Sequence, residues 1–561
     1  MAHSFSTIQR SVVLNQLAVD GLDLLVIGGG ITGAGTALDA QVRGMKTGLI
    51  EMQDFASGTS SRSTKLVHGG LRYLKQLDVK VVSEVGKERA IVYENAPHVT
   101  TPLWMLLPLF QGGTFGRLTT AMGLTVYDRL AGVKRHERRH MLNKKQTLEK
   151  EPLLRKDKLK GSGYYVEYRT DDARLTLEVM KEAVYRGVKA VNYVKAEEFL
   201  YENGNVAGVR AIDQITGEVR DIRAKKVINA AGPWVDELRE KDRSKKGKQL
   251  HLTKGVHITI DGRRFPLSQA VYFDTPDGRM VFAIPREGKT YIGTTDTHYA
   301  GDITHPRMTT EDRDYLLRAV NDMFPDVDLK PVDVESSWAG VRPLIHEEGK
   351  DPSEISRKDE IFRSDSGLIT IAGGKLTGYR KMAERVVDLT ARELEREGGR
   401  SYSACKTAHI RLSGGGVGGS EQFPNFVGEK IREGTTIGLT SDEAEKLASR
   451  YGANVDRLFA IIRTAGEEAQ HYGLSKAVFA MIVYAIEEEM AATPSDFFIR
   501  RTGALFFDID WVKRWKAPVM DYMAQRLHWT DEEKTSHEKE LEQRITEATV
   551  PIASHKEVRQ A

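Results

Sequence analysis

Cysteine is almost missing: Cys405 is the single one in 561 residues. That excludes an intramolecular disulfide framework and any multi-cysteine metal cluster, and it suits a reduced, intracellular setting. Neither sign of charge is in excess. Lys and Arg number 82 against 79 Asp and Glu, a net charge of +3, whereas a duplex nucleic-acid binder shows a basic surplus or stripe. Long apolar runs are lacking. The longest, residues 22–27 and 103–110, fall short of the roughly 18–20 residues of a spanning helix. The N-terminus has no basic stretch followed by an apolar one and no Arg-rich transit pattern, so the expectation is a chain made and used without crossing a membrane. Glycine is plentiful, at 51 residues, but has no G-x-y period, which excludes collagen. With 40% hydrophobic and 29% charged residues, the chain reads as globular rather than disordered. At roughly 150 residues per domain, its length points to three or four domains or two large ones.

Residues 1–21 read as a short polar lead with a helix. Asp23-Leu-Leu-Val-Ile27 reads as a buried parallel strand stopped by glycine. Residues 31–44 follow as a small-residue helix, and residues 47–50 as a second buried strand ending at Glu51. Further strands are read at 206–212, 219–222 and 226–231. Period-two alternation at 257–260 and 291–293 indicates antiparallel sheet. Gly414-Gly-Gly-Val-Gly-Gly419 reads as a flexible joint. Beyond it, residues 440–548 carry helical apolar spacing, with Leu458, Ile461, Ile462 and Ala465 at i, i+3, i+4 and i+7.

Gly28-Gly-Gly-Ile-Thr-Gly33 fits G-x-G-x-x-G in the context that motif requires: strand before, helix after, and an acidic residue about 20 positions on. Gly28 permits the tight turn, Gly30 lets the backbone approach a pyrophosphate, and Gly33 lets helix and strand pack closely. Ile31 and Thr32 open the helix, whose N–H groups and partial positive charge suit phosphates. Glu51 would accept the adenosine ribose hydroxyls and disfavours a 2′-phosphate. The motif alone leaves NAD and FAD open. Its place at the front of the chain, with strands ending in small residues at 227–232 and 368–374, points to a cofactor domain assembled from separated segments, and to FAD. The resulting fold class is α/β. It comprises a discontinuous Rossmann-like FAD-binding domain, an antiparallel-sheet substrate domain and an all-helical C-terminal domain.

Ser60-Ser-Arg-Ser-Thr-Lys-Leu-Val-His-Gly-Gly-Leu-Arg-Tyr73 resembles the flavin-contacting segment of FAD-dependent glycerol-3-phosphate dehydrogenases. So do Asn229-Ala-Ala-Gly-Pro-Trp234, Ile292-Gly-Thr-Thr-Asp296, Gly340-Val-Arg-Pro-Leu344 and Gly373-Gly-Lys-Leu-Thr-Gly-Tyr-Arg-Lys381. Phe497-Phe-Ile-Arg-Arg-Thr502 resembles, less closely, that family's cap. The resemblance implies FAD contacts at Thr59, Ser60, Lys65, Leu66, His68, Gly70, Ala231, Gly232, Gly374, Leu376 and Thr377. It implies a body over 1–400, with FAD segments near 21–100, 161–250 and 341–400 and substrate segments near 101–160 and 251–340. A helical cap over 401–561 completes it. The implied reaction is oxidation of sn-glycerol 3-phosphate to dihydroxyacetone phosphate, with hydride passing from C2 to FAD N5 and electrons then to membrane quinone. Related oxidases, which use dioxygen, carry an insertion for which residues 344–373 leave no room. Amine and amino-acid oxidases share the front fingerprint but bind a carboxylate.

A phosphate dianion needs cations, with Arg preferred for forked contacts. Arg72, Arg342 and Lys375 lie in the matching motifs, Arg357 where the family places another basic contact, and Tyr73 and Thr294 add hydroxyl donors. Removing hydride also requires the hydroxyl proton to leave, and a base working near neutrality is most often His. His257 matches the family's histidine near the substrate hydroxyl. An oriented water, Arg342 or His68 remain as alternatives, and Arg342 would stabilise the developing alkoxide.

Quinone is a lipid, so the resemblance also implies peripheral contact with the inner face of the cell membrane by a cytoplasmic enzyme. Residues 115–133 carry apolar positions at helical spacing, and the basic run Lys134-Arg-His-Glu-Arg-Arg-His140 follows. That pattern suits an anionic membrane surface or a helix packed on the core with a solvated end. The C-terminal part carries no catalytic signal; a cap, a homodimer interface and a membrane-facing surface are the roles open to it. No calcium-binding loop is present, and a metal or nucleic acid is not expected.

Overall fold

The computed structural model describes residues 5–67, 79–112, 120, 137–347 and 359–553. Its first layer grows from the strand Leu22–Ile27, which is buried at every position. That strand pairs in parallel with Thr47–Ile50 on one side and Val219–Asn229 on the other, and Val219–Asn229 pairs in parallel with Ile369–Ala372. Three distant stretches of sequence therefore form one parallel sheet, whose buried, mostly apolar strands are those expected of a layer covered on both faces. The helix Ile31–Val42 packs against Tyr379–Arg396 and Asp172–Tyr185. The first of these contacts is close because Gly35 has no side chain: a Cβ there would lie 2.7 Å from the Tyr379 ring.

Val219–Asn229 is one strand where two are predicted. Its first half alternates exposed and buried positions and pairs antiparallel with Asn205–Asp213; its second half is buried and joins the parallel sheet. The polar stretch between the two apolar pieces marks a change of partner, not a break.

The second layer is a ten-stranded, largely antiparallel sheet. Lys248–Asp261 pairs antiparallel with Val334–Glu347 along most of its length and with Lys289–Gly293, where His257 lies opposite Gly293. Leu159–Thr170 also belongs here, paired with Thr100–Phe110. The predicted segment boundaries at 161 and 341 thus fall inside strands of this sheet.

Beyond residue 423 the described chain is helical, and Leu458, Ile461, Ile462 and Ala465 are all buried. The glycine run before it is not a free joint. A Cβ on Gly415 would lie 2.2 Å from the Asn95 carbonyl, and one on Gly414 2.6 Å from that of Tyr451. Close approach, rather than flexibility, calls for glycine at these two positions.

The C-terminal helices are tied to the body by buried charge. Arg174, in the helix Asp172–Tyr185, bonds Glu489 and the Arg501 carbonyl, and Lys181 reaches Glu489 at 3.3 Å. His98 is buried beside them, within contact distance of any Cβ added at Gly414 or Gly452. Burial, reinforced by the Arg174 and Lys181 cations, pushes the His98 imidazole down to about 3.

This has a consequence for stability. An unfolded histidine titrates near 6.5, so between that pH and the depressed folded value the unfolded chain binds the extra proton, and stability falls on acidification. From pH 6.5 to pH 5, His98 alone should account for a loss of about 2 kcal/mol. Urea titrations at pH 7 and pH 5 should show a smaller pH difference for His98→Gln than for the parent; an unchanged difference would contradict the assignment.

Candidate functional site

One cavity brings together most of the predicted residues. It is lined by Gly28, Gly30, Ile31, Thr32, Glu51, Thr59, Ser60, Leu66, Ala231, Gly232, Gly374, Leu376 and Thr377, and also by His257, Arg342 and Lys375. Most of the first group follows the carboxyl ends of the parallel strands, where ligands of such sheets bind; Leu66 belongs to the antiparallel sheet. The antiparallel sheet supplies His257 and Arg342 from paired neighbouring strands.

The fingerprint glycines play different parts. Gly28 has φ +116°, and a Cβ on it would lie 2.5 Å from the Ala230 carbonyl. Gly33 lies outside the lining; a Cβ there would meet the Gly28 carbonyl at 1.8 Å, so it serves the strand–helix contact. At Gly30 the nearest neighbour of a Cβ is the Ser60 hydroxyl, 3.1 Å away, and Ser60 accepts from the Ile31 N–H at 2.9 Å. A narrow passage between glycine backbone, hydroxyl and helix N-terminus fits a pyrophosphate. Glu51 accepts from the Gly29 N–H at 2.6 Å and the Gln53 N–H at 2.8 Å. Burial raises its carboxyl despite these two bonds, and lone pairs remain for a diol. These features fit a long dinucleotide such as FAD.

The second group is a polar cluster. The His257 imidazole is 1% exposed, stacks on Trp338 with ring centroids 4.8 Å apart, and places Nε2 3.0 Å from the Thr64 hydroxyl. Its Nδ1 has no hydrogen-bond partner among the described residues. Burial lowers its affinity for a proton far below the ordinary value, and Arg342 and Lys65 push the same way. In the free protein the ring is therefore neutral and a weaker base than the near-neutral one expected. Arg342 donates to Asp296 at 3.1 Å and to the Thr294 hydroxyl at 3.0 Å. Gly255 makes room for it: a Cβ there would lie 2.3 Å from an Arg342 nitrogen. Thr294 thus orients Arg342 and is not itself in the lining.

Lys65 departs from its expected flavin contact. Its Nζ is buried against Asp172 at 2.6 Å and the Ser61 carbonyl at 3.0 Å, and its side chain does not line the cavity. Arg72, Tyr73, His68, Gly70 and Arg357 lie outside the described residues, as do residues 115–119 and 121–136 of the expected membrane segment.

Several lining residues carry no signal in the sequence. Val194 and Ala196 belong to an ordinary strand, and Trp234 reads as core. Arg62 lines the cavity and donates to the Thr304 carbonyl at 3.1 Å. Burial, with Arg500 and Arg544 nearby, lowers its guanidinium to about 10. The S-R-S-T stretch could have marked it, being already within a cofactor-contacting motif.

Comparison with known proteins accords with this geometry. The family model for FAD dependent oxidoreductases matches residues 23–380, and that for the C-terminal domain of alpha-glycerophosphate oxidase matches residues 405–534. The chain is 61% identical over 552 residues to an aerobic glycerol-3-phosphate dehydrogenase of Bacillus subtilis, covering 98% of this chain and 100% of that protein. A Staphylococcus haemolyticus protein of the same name is 59% identical, covering 97% and 98%. Among solved structures, a glycerol-3-phosphate dehydrogenase from Bacillus halodurans complexed with FAD matches with a TM-score of 0.86 at 57% identity, covering 98% and 99% of the two chains. The chain therefore belongs to the aerobic glycerol-3-phosphate dehydrogenases, a family of FAD-dependent oxidoreductases.

Proposed function

We propose that this chain oxidises sn-glycerol 3-phosphate to dihydroxyacetone phosphate and passes the electrons to a membrane quinone. The observation that carries the reading is the meeting of His257, Arg342 and Lys375 with the dinucleotide fingerprint in one cavity. FAD, when bound, would supply the two-electron oxidant for C2. Gly28, Gly30, Ile31, Thr32, Ser60 and Glu51 would hold its pyrophosphate and ribose. Lys375 and the positions Arg72, Tyr73 and Arg357 would bind the substrate phosphate.

His257 Nε2 would take the C2 hydroxyl proton while Arg342 stabilises the oxygen it leaves. No described helix is long and apolar enough to cross a membrane, and quinone reduction by such a chain calls for peripheral contact with the bilayer.

Anaerobic addition of glycerol 3-phosphate to the FAD-loaded protein should bleach the flavin bands, and a soluble quinone analogue should restore them faster than air does. No bleaching would reject the dehydrogenase reading. Bleaching with faster recovery in air would favour dioxygen as acceptor.

A further inference from the structure

The segment that follows the second parallel strand lines the cavity at several positions, Glu51, Ser57 and Thr59 among them. It is held from the side away from the cavity by one fully buried carboxylate. Asp54 accepts from Asn192 at 3.1 Å, from Arg501 Nη1 and Nη2 at 2.6 and 2.8 Å, and from Arg500 Nε. Both arginines come from the C-terminal part of the chain, in the wide helical turn Asp496–Arg501, almost 450 residues away in sequence. Arg500 is itself fixed by Asp496 at 2.6 Å, and Asp496 accepts from Tyr193 at 2.7 Å. Tyr193 closes the circuit: its backbone N–H donates to the Gln53 carbonyl at 2.8 Å, and Gln53 N–H donates to Glu51 Oε1 at 2.8 Å. Burial opposes the Asp54 charge, but Arg501 and Arg500 outweigh it and hold the carboxyl well below its usual range. At neutral pH the anchor is an ion cluster with no water access.

We propose that the C-terminal helical domain positions the FAD site: Arg500 and Arg501, acting through Asp54, fix the segment that aims Glu51 at the adenosine ribose. The inference rests on the assignment of Glu51 to ribose. Backbone bonds tie the segment at Glu51, to Val191 and Val194, at Gln53, to Tyr193, and at Ala56, to Gly29; the side-chain anchor at Asp54 adds a fixed point between Gln53 and Ala56 that helps hold a carboxylate within hydrogen-bond tolerance. Charge-assisted bonds in a buried setting are well suited to that, because they are short and directional. Among the described residues, the C-terminal part contributes none to the cavity lining, so the effect of Arg500 and Arg501 on the cofactor is indirect.

The test is FAD affinity, measured by titrating flavin into apoprotein and following fluorescence quenching, for Glu51→Gln, Asp54→Asn, Arg501→Lys and the pair Glu51→Gln/Asp54→Asn. Asp54→Asn should weaken FAD binding at least tenfold, while kcat and KM for substrate at saturating FAD stay within twofold. If Asp54 acts through Glu51, the double variant should bind FAD no worse than Glu51→Gln alone, a non-additivity that general loosening of the fold would not produce. Arg501→Lys, which keeps the charge but loses the fork, should fall between parent and Asp54→Asn, and it serves as the test variant if Asp54→Asn does not fold. Lys181→Met, which breaks a different buried contact with the same domain, should lower the melting temperature and leave FAD affinity unchanged. An FAD affinity within twofold of the parent in Asp54→Asn, or in Arg501→Lys where that variant stands in, overturns the proposal, as does full additivity in the pair. Unweakened binding in Glu51→Gln would instead overturn the assignment of Glu51 to ribose on which it rests.

Discussion

Replacing Arg342 by methionine is expected to lower kcat/KM for glycerol 3-phosphate by a hundred- to a thousandfold, or about 2.7–4 kcal/mol of transition-state stabilisation. The guanidinium is oriented before substrate arrives, by Asp296 at 3.1 Å and Thr294 at 3.0 Å, so little ordering is left to the reaction. The loss should fall mainly on kcat, because the alkoxide it stabilises exists only in the transition state. Arg342→Lys should recover little: a lysine amine is a point charge and cannot hold Asp296 and Thr294 while facing the substrate oxygen. The pH profile supplies an independent readout. Arg342 is one of the cations that depress His257, so its removal lets the imidazole rise toward its ordinary value. The base must be neutral to act, and the acidic limb of the residual activity should therefore move to higher pH. Rapid-reaction measurement of flavin reduction across pH checks both points; an unmoved limb with unchanged kcat would remove Arg342 from the reaction.

How much of this was legible in the sequence depends on the range of the interaction. The fingerprint was, because strand, glycines, helix and Glu51 lie within about 30 residues and each obeys a local steric rule. Arg342, Lys375 and His257 were legible as motif positions, since each lies in a short glycine-containing motif: His257 and Arg342 within paired strands, Lys375 just past the end of one. His257's weak basicity was not: it follows from stacking on Trp338 and from two cations that the fold, rather than the local sequence, brings near it. Lys65 sits within the motif yet turns to Asp172, 107 residues on; residue type alone does not reveal such a diversion. The glycine run at 414–419 showed composition but not cause, because a loop needing freedom and a loop needing close approach look alike until the neighbouring backbone is known. Arg174, Arg500 and Arg501 read as ordinary charged residues because their partners lie hundreds of positions away.

Arg174→Met should be among the most destabilising single changes outside the cavity, costing about 3–5 kcal/mol. The side chain is 1% exposed and serves two carboxylates, Glu489 and Glu178, together with the Arg501 carbonyl, with its guanidinium 4.8 Å from the Tyr451 ring centroid. Its removal leaves Lys181, at 3.2 Å from Glu178 and 3.3 Å from Glu489, as the remaining cation within ion-pair distance of Glu178. Among the described residues, Glu489 keeps only Lys181 and the more distant Arg501 as ion-pair partners. Arg174 is a main cause of the lowered proton affinity of the Glu489 carboxyl, so without it Glu489 would bind a proton more readily in the folded state, which makes the defect pH-dependent with a definite sign. The gap in stability between Arg174→Met and the parent should narrow as pH falls from 8 toward 5, because protonation relieves the uncompensated charge. Urea melts at the two pH values check this, and a gap that is constant or widens on acidification would point to lost packing instead. The pair Arg174→Met/Glu489→Leu separates what the cluster contributes to stability from what it contributes to orientation. A buried ion pair replaced as a pair is often neutral, so the double variant should recover much of the loss. A double variant that regains the parent's melting temperature, and whose FAD affinity nonetheless falls because the Arg501 carbonyl has lost the Arg174 guanidinium that braces it, would assign the buried charges to holding the two domains in register.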